Sequence, residues 1–336
     1  QPLVAALTNA GVRRITGDLI GDDSFIVGAP FGSGWVWDDM NYYYGAEVSA
    51  LTINDNTLQV SVTPGPKPGT PCQLAVVPAT SYVVLSNRTQ TVAAGERRDI
   101  TCYRPLGQNV IYVSGVLPLD QTNYTDDVTM SRPAGLFVEF LQEALSRNGI
   151  KVGGKTRTVS WLERQNQPLV SSQLIELGAM ESKPMRELNY AVQKPSQNLY
   201  TDLMLAHVGS LEREKRLAEI QTRNPTPPEE TVVGTISSED YGIRELKQFL
   251  AKVGIPANDV WFEDGSGLSR ANVATPNATV ALLQFMSRHA EAESYYDALP
   301  IAGVDGTLRN RLKGTRAAGN VHAKKGTLRW ASCTLG

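Results

Sequence analysis

Residues 299–328 read LPIAGVDGTLRNRLKGTRAAGNVHAKKGTL, and the stretch closes on Lys324-Lys325-Gly326-Thr327 in what reads as a strand. Two further signals lie upstream. Ser196-Gln197-Asn198 follows Pro195, which interrupts one helical pattern just before another begins, so the triplet falls on a turn between helices. Residues 264–270, DGSGLSR, form a Gly-rich turn ahead of Asn272. Singly, each has a plain structural meaning. Ser196 suits a helix N-cap, Asn198 suits a solvated first turn, and Lys324 with Lys325 suits an edge strand guarded by charge. Asp264-Gly265 and Asp305-Gly306 suit tight turns. Only their order and company ask for more.

The composition bounds the answer. At 336 residues the chain is long enough for two or three domains with their own cores. The net charge of −2 leaves no basic footprint for nucleic acid and no polybasic face for a membrane surface. No apolar run approaches the roughly 20 residues of a membrane span. Gln1-Pro2-Leu3 is a poor natural start and shows no signal peptide, so the sequence is expected to be a piece of a longer chain. His207, His289 and His322 are scattered without metal-ligand spacing. Cys72 and Cys102 flank one β-rich segment; their spacing leaves open both a bridge, as an oxidising compartment would favour, and free thiols.

Residues 1 to about 130 read as mostly β, with strand signals at 15–19, 56–62, 72–77, 81–85, 99–103 and 109–115 between Pro, Gly and Asn turns. Aromatics gather at 34–39 and 41–45, where a loop packed by its own rings is favoured over a carbohydrate platform. From Ser131 the period changes. Residues 133–147 place Leu136, Phe137, Phe140, Leu141, Ala144 and Leu145 on one helical face, with Pro133 in the first turn and Gly149 as the stop. A return strand with a Gly153-Gly154 turn is expected over 151–161. Helical patterns are expected from Ser171, over 198–208, over 237–253, and over 276–289 with Thr275 as N-cap. Residues 223–230, RNPTPPEE, read as a Pro-rich surface loop.

Taken together, SKPMRELNYAVQKPSQNLYTDLML, WFEDGSGLSR, LPIAGVDGTLRNRL and HAKKGTLRW resemble the D-alanyl-D-alanine carboxypeptidase/endopeptidase family, the class C low-molecular-mass penicillin-binding proteins. GDLIGDDSFI and GWVWDD with YYYGAEVSALTINDN are similar to segments of that family's inserted domains, so the likeness runs from about Leu7 to Leu328. It implies an α+β fold: inserted β-rich domains over residues 1–165, and part of a penicillin-recognising domain, an antiparallel sheet between helical layers, over 166–336. It also implies a periplasmic or exported protein acting on peptidoglycan stem peptides, inhibited by β-lactams, with no metal or organic cofactor.

Acyl transfer from a D-Ala–D-Ala amide needs a nucleophile, a proton shuttle, an oxyanion hole and a grip on the terminal carboxylate. By resemblance, Ser196 relays a proton toward the leaving amine and Asn198 bonds the substrate's backbone amide. Lys324 supplies positive charge near Ser196 and the substrate carboxylate. Gly326 lets substrate approach the strand edge; the Thr327 N–H donates to the oxyanion and its hydroxyl meets the carboxylate. Two departures stand out. No serine is followed three residues later by lysine, so the family's Ser-x-x-Lys nucleophile is expected upstream of Gln1. The family's Lys-Thr-Gly or Lys-Ser-Gly reads Lys324-Lys325-Gly326, an ammonium in place of a hydroxyl. A non-catalytic peptidoglycan-binding scaffold on the same fold is the alternative reading.

Overall fold

The computed structural model describes residues 2–223 and 236–336, so most of the Pro-rich stretch at 223–230 lies outside the described residues. The chain forms two compact units, Gln1–Phe25 with Val36–Met180, and Ile26–Trp35 with Glu181–Gly336.

In the first unit, helix α1 (Pro2–Asn9) leads into the short strands β1 (Arg14–Ile15) and β2 (Leu19–Asp22). Six longer strands follow: β3 (Thr57–Thr63), β4 (Gln73–Val77), β5 (Val84–Val92), β6 (Asp99–Tyr103), β7 (Val110–Pro118) and β8 (Tyr124–Thr129). They form two three-stranded sheets, ordered β4-β3-β8 and β5-β7-β6. Alternate residues of β3 (Leu58, Val60, Val62) and of β7 (Ile111, Val113, Leu117) are fully buried in one core, as a pleated strand with one covered face requires. Helix α2 (Pro133–Arg147) adds Leu136 and Phe140 to that core. Its limits match the expected helix, with Pro133 in the first turn and Gly149 at φ +75° just past the end. It is buried on more than the expected face: Val138 is also covered, and a Cβ on Gly21 of β2 would lie 2.3 Å from the Val138 side chain. The unit closes with β9 (Lys151–Val152), parallel to β1, β10 (Thr156–Val159), parallel to β2, and α3 (Trp161–Asn166).

Some expectations change here, and some open ones are decided. Strand β8, YTDDVT, was not foreseen, because its polar alternation lacks an apolar run; it pairs along β3 from Val62 to Thr57. The expected turn at Gly153 and Gly154 parts the return stretch into the short strands β9 and β10, which end at Val159 rather than at Trp161. Cys72 and Cys102 are free thiols, and burial with the neighbouring Asp126 pushes the Cys102 thiol up to about 12. The aromatic loop is partly self-packed, Tyr42 stacking on Tyr44 with centroids 5.5 Å apart, while Trp37 stays 67% exposed. The helix expected from Ser171 is absent: a single short turn at Ser171–Gln173 precedes chain without regular secondary structure up to residue 184. Leu174, Ile175 and Leu177 in that stretch are exposed, so no burial offsets the cost of nucleating a helix.

The second unit is built on helices α4 (Met185–Gln193), α5 (Asn198–Arg223), α6 (Ser238–Lys252), α7 (Pro276–Met286) and α8 (Ala292–Ala298). Two antiparallel ribbons join them: β11 (Val260–Trp261) with β12 (Val273–Ala274), and β13 (Lys324–Leu328) with β14 (Ala331–Leu335). The ribbons are what these residues contribute to the expected sheet, and the second edge of β13 carries no strand among the described residues. Thr275 caps α7 as expected, accepting from the Ala278 N–H at 3.1 Å, and Ser237 caps α6 in the same way, accepting from the Asp240 N–H at 3.0 Å.

Helices α5 and α6 approach closely through a pair of glycines. A Cβ on Gly209 would fall 1.7 Å from the Ser238 carbonyl oxygen, and one on Gly242 would fall 2.3 Å from the Leu205 carbonyl oxygen. Beside this contact, buried Asp202 of α5 sits within electrostatic reach of Glu239 and Asp264. Burial, then the Asp264 and Glu239 charges, raises the Asp202 carboxyl well above its usual range. Burial and the Asp264 charge raise Glu239 to about 7.

Two predictions follow from this packing. Gly209→Ala forces α5 from α6 and destabilises the protein by about 1–3 kcal/mol, the scale of overpacking, read from urea midpoints. Glu239 binds a proton in the folded state that it releases near 4.5 when unfolded, so wild-type stability falls as pH rises from about 4.5 to about 7. Glu239 is partly exposed, so solvent screening trims the effect to about 1–2 kcal/mol. Glu239→Gln removes Glu239's share of that slope and makes it shallower, while the share of the raised Asp202 remains, which urea midpoints at pH 5 and pH 7.5 measure.

Candidate functional site

The turn between α4 and α5 holds the first group. Lys194 caps α4, and the chain then reverses at Ser196, whose backbone is left-handed at φ +66°. A non-glycine residue in that region is uncommon and is held by its surroundings. The Gln197 N–H donates back to the Val192 carbonyl at 3.0 Å, closing the turn. Asn198 then opens α5 and is half-buried.

Strand β13 holds the second group. Lys324 Nζ donates to Ser196 Oγ at 2.6 Å and to the Lys325 carbonyl at 2.8 Å. Burial lowers the Lys324 pKa from its ordinary value, since desolvation penalises the ammonium. Two residues along, a Cβ on Gly326 would meet the Cys333 sulfur of β14 at 3.0 Å, so a side chain there would crowd the hairpin. Thr327 pairs with Ser332 and is exposed.

The structure therefore joins Ser196 directly to Lys324, 128 residues apart in sequence. Asn198 lies one step from the same turn, and Gly326 and Thr327 continue the same strand. Lys325 lends its carbonyl to Lys324, and its ammonium makes no part of that bond.

Residues 264–272 are more than a tight turn. The Asp264 carboxylate accepts from the Gly267 N–H at 2.8 Å, the Ser269 N–H at 2.9 Å, Ser266 Oγ at 3.1 Å and Trp35 Nε1 at 2.6 Å. The Gly265 N–H reaches across to Asp202 Oδ1 at 3.0 Å, tying this loop to α5 one turn beyond Asn198.

Residues 299–307 also acquire a role that their sequence hides. Lys194, 7% exposed, sends its ammonium to Asp305 Oδ2 and to the Leu299 carbonyl, both at 2.7 Å. A lysine near a helix end is an ordinary surface feature in sequence, and only the neighbouring Pro195-Ser196 marks this one. No group of three or more His, Cys, Asp or Glu arranged to hold a metal occurs among the described residues. No helix among them is long and apolar enough to cross a membrane.

Comparison with known proteins places this geometry. The model of the D-Ala-D-Ala carboxypeptidase 3 (S13) family matches residues 1–222 and 231–334. The chain is 30% identical over 349 aligned positions to a D-alanyl-D-alanine carboxypeptidase of Actinomadura sp. (strain R39), covering 99% of this chain and 59% of the relative. It thus spans about three fifths of that relative's length. Among solved structures, penicillin binding protein 4 (dacB) from Haemophilus influenzae superposes with a TM-score of 0.74 at 24% identity, covering 97% of this chain and 66% of that one. The same protein complexed with a novel β-lactam superposes at 0.65 with 22% identity, covering 97% and 65%. With a matching fold and a family model spanning nearly every residue, the chain belongs to the D-Ala-D-Ala carboxypeptidase 3 (S13) family.

Proposed function

We propose that this chain forms the greater part of a periplasmic or exported serine peptidase. It removes the terminal D-Ala from peptidoglycan stem peptides and cleaves D-Ala–diaminoacyl cross-links through an acyl-enzyme. The observation that carries the reading is the 2.6 Å bond from Lys324 Nζ to Ser196 Oγ. A half-buried ammonium aimed at a hydroxyl on a strained turn is what a proton relay beside a carboxylate site requires, and a helix cap alone would not require it.

The nucleophilic serine and its lysine base belong, in this reading, to a Ser-x-x-Lys outside residues 1–336. The serine oxygen attacks the carbonyl carbon of the penultimate D-Ala and yields its proton to the base. The amide C–N bond breaks as the leaving nitrogen takes a proton relayed through Ser196. Water then hydrolyses the ester. Because Ser196 Oγ accepts from Lys324, its own hydrogen points elsewhere and serves the leaving nitrogen. Two of the three Lys324 N–H groups are engaged by Ser196 and Lys325, and the third meets the substrate carboxylate with the Thr327 hydroxyl. Asn198 bonds the substrate's backbone amide. The unpaired edge of β13 receives the peptide as an added strand, with the Thr327 N–H facing the oxyanion and Gly326 leaving room for the backbone. β-Lactams enter the same edge as substrate mimics and stall at the acyl stage; that a structural neighbour is solved in complex with a β-lactam supports the binding of such compounds.

In the complete gene product, Lys324→Ala abolishes acylation by fluorescent penicillin, read by in-gel labelling; full labelling of the variant removes Lys324 from the site. Ser196→Ala slows release of D-Ala from a D-Ala–D-Ala peptide by roughly a hundredfold or more, the scale of a lost proton-transfer group. An unchanged rate reduces Ser196 to a helix-turn residue, and a wild type that neither labels nor releases D-Ala favours the binding scaffold.

A further inference from the structure

We propose that Lys194 and Asp305 are a positioning pair that sets the distance between the Ser196 turn and Lys324; the inference rests on the peptidase reading above. Both ends of residue 194 are fixed to one loop. Its ammonium donates to Asp305 Oδ2 and the Leu299 carbonyl, each at 2.7 Å, and its carbonyl accepts the Thr307 N–H at 3.1 Å. Gly306 makes that approach possible: its φ is +52°, and a Cβ there would lie 2.7 Å from the Lys194 carbonyl oxygen.

The same loop sets the register of the chain entering β13. Asp305 Oδ1 accepts the Ile301 N–H at 2.8 Å, so one carboxylate holds Lys194 with one oxygen and the loop backbone with the other. Ile301 bridges His322, the Ala302 N–H donates to the Val321 carbonyl at 2.9 Å, and the Ala323 N–H donates to the Pro300 carbonyl at 2.9 Å. Lys324 is the next residue. The hydroxyl and the ammonium of the site are thus each one or two residues from anchors on a single loop, and Lys194–Asp305 is the charged link between them. A second ion pair, Arg186–Asp297, joins α4 to α8 at 3.3 Å, but both of its side chains are largely exposed. Breaking the pair at Asp305 leaves the buried Lys194 ammonium uncompensated, so the loop must move to solvate it, whereas the exposed pair is dispensable. A displacement of about 1 Å between reacting groups costs on the order of a hundredfold in rate.

The test uses the complete gene product, single-turnover acylation by fluorescent penicillin, and rates normalised to the fraction of protein that labels. Lys194→Met and Asp305→Asn lower the acylation rate constant at saturating penicillin by about 10- to 100-fold, with the half-saturating concentration changed less than about threefold. The double variant is no slower than the slower single one, because both changes remove the same link. Arg186→Ala acylates at the wild-type rate. Should Lys194→Met fail to fold, the near-isosteric Asp305→Asn carries the test. Variants that acylate at the wild-type rate constant, or whose loss lies wholly in a smaller labelled fraction, overturn the positioning role. A wild type that does not label overturns the peptidase reading itself.

Discussion

The second unit is organised around one ammonium. Lys324 is drawn out of water far enough for burial to lower its pKa, and such a charge is tolerated only where hydrogen bonds replace its lost hydration. Two replacements are in place, the Ser196 hydroxyl and the Lys325 carbonyl. One is local and follows from the strand itself. The other is remote, and it demands that a strained turn after α4 and the first residue of β13 meet within a hydrogen bond. The left-handed backbone at Ser196, the closing bond from Gln197 to Val192, and the bonds of residues 299–307 all serve that meeting.

Helix α5 carries the consequence outward. Its first residue is Asn198, and one turn later Asp202 is buried against the 264–272 loop. Asp264 collects donors from its own loop and from Trp35, which gathers negative charge where Asp202 and Glu239 are already desolvated. The glycine contact between α5 and α6 holds the two helices near enough for these carboxyls to feel one another. The helix that presents Asn198 is therefore fixed on one side by close backbone packing and on the other by the Asp264 loop.

Much of this was legible in the sequence where a local rule decides the outcome. The strand signal over 56–62, the Pro133 start and Gly149 stop of α2, and the Thr275 cap are all short-range signals. Ser196 and Lys324 were legible for another reason: family resemblance supplies the long-range pairing that no single residue carries. Strand β8 was missed because Asp126 and Asp127 mask a strand that depends on β3 for its place. The stretch after Ser171 misled in the opposite sense, offering leucines in helical spacing with no surface to bury them. Lys194 and Asp305 were invisible because each is an ordinary residue locally, and only their meeting across 111 positions gives them meaning.

A crystal structure of the complete gene product reacted with a penicillin tests the central claim most directly. The account predicts a covalent adduct lying along the open edge of β13, its carboxylate within hydrogen-bond reach of Lys324 and Thr327 and its former lactam nitrogen facing Ser196. An adduct whose carboxylate points to solvent, with Ser196 and Lys324 still bonded only to each other and away from it, would contradict it.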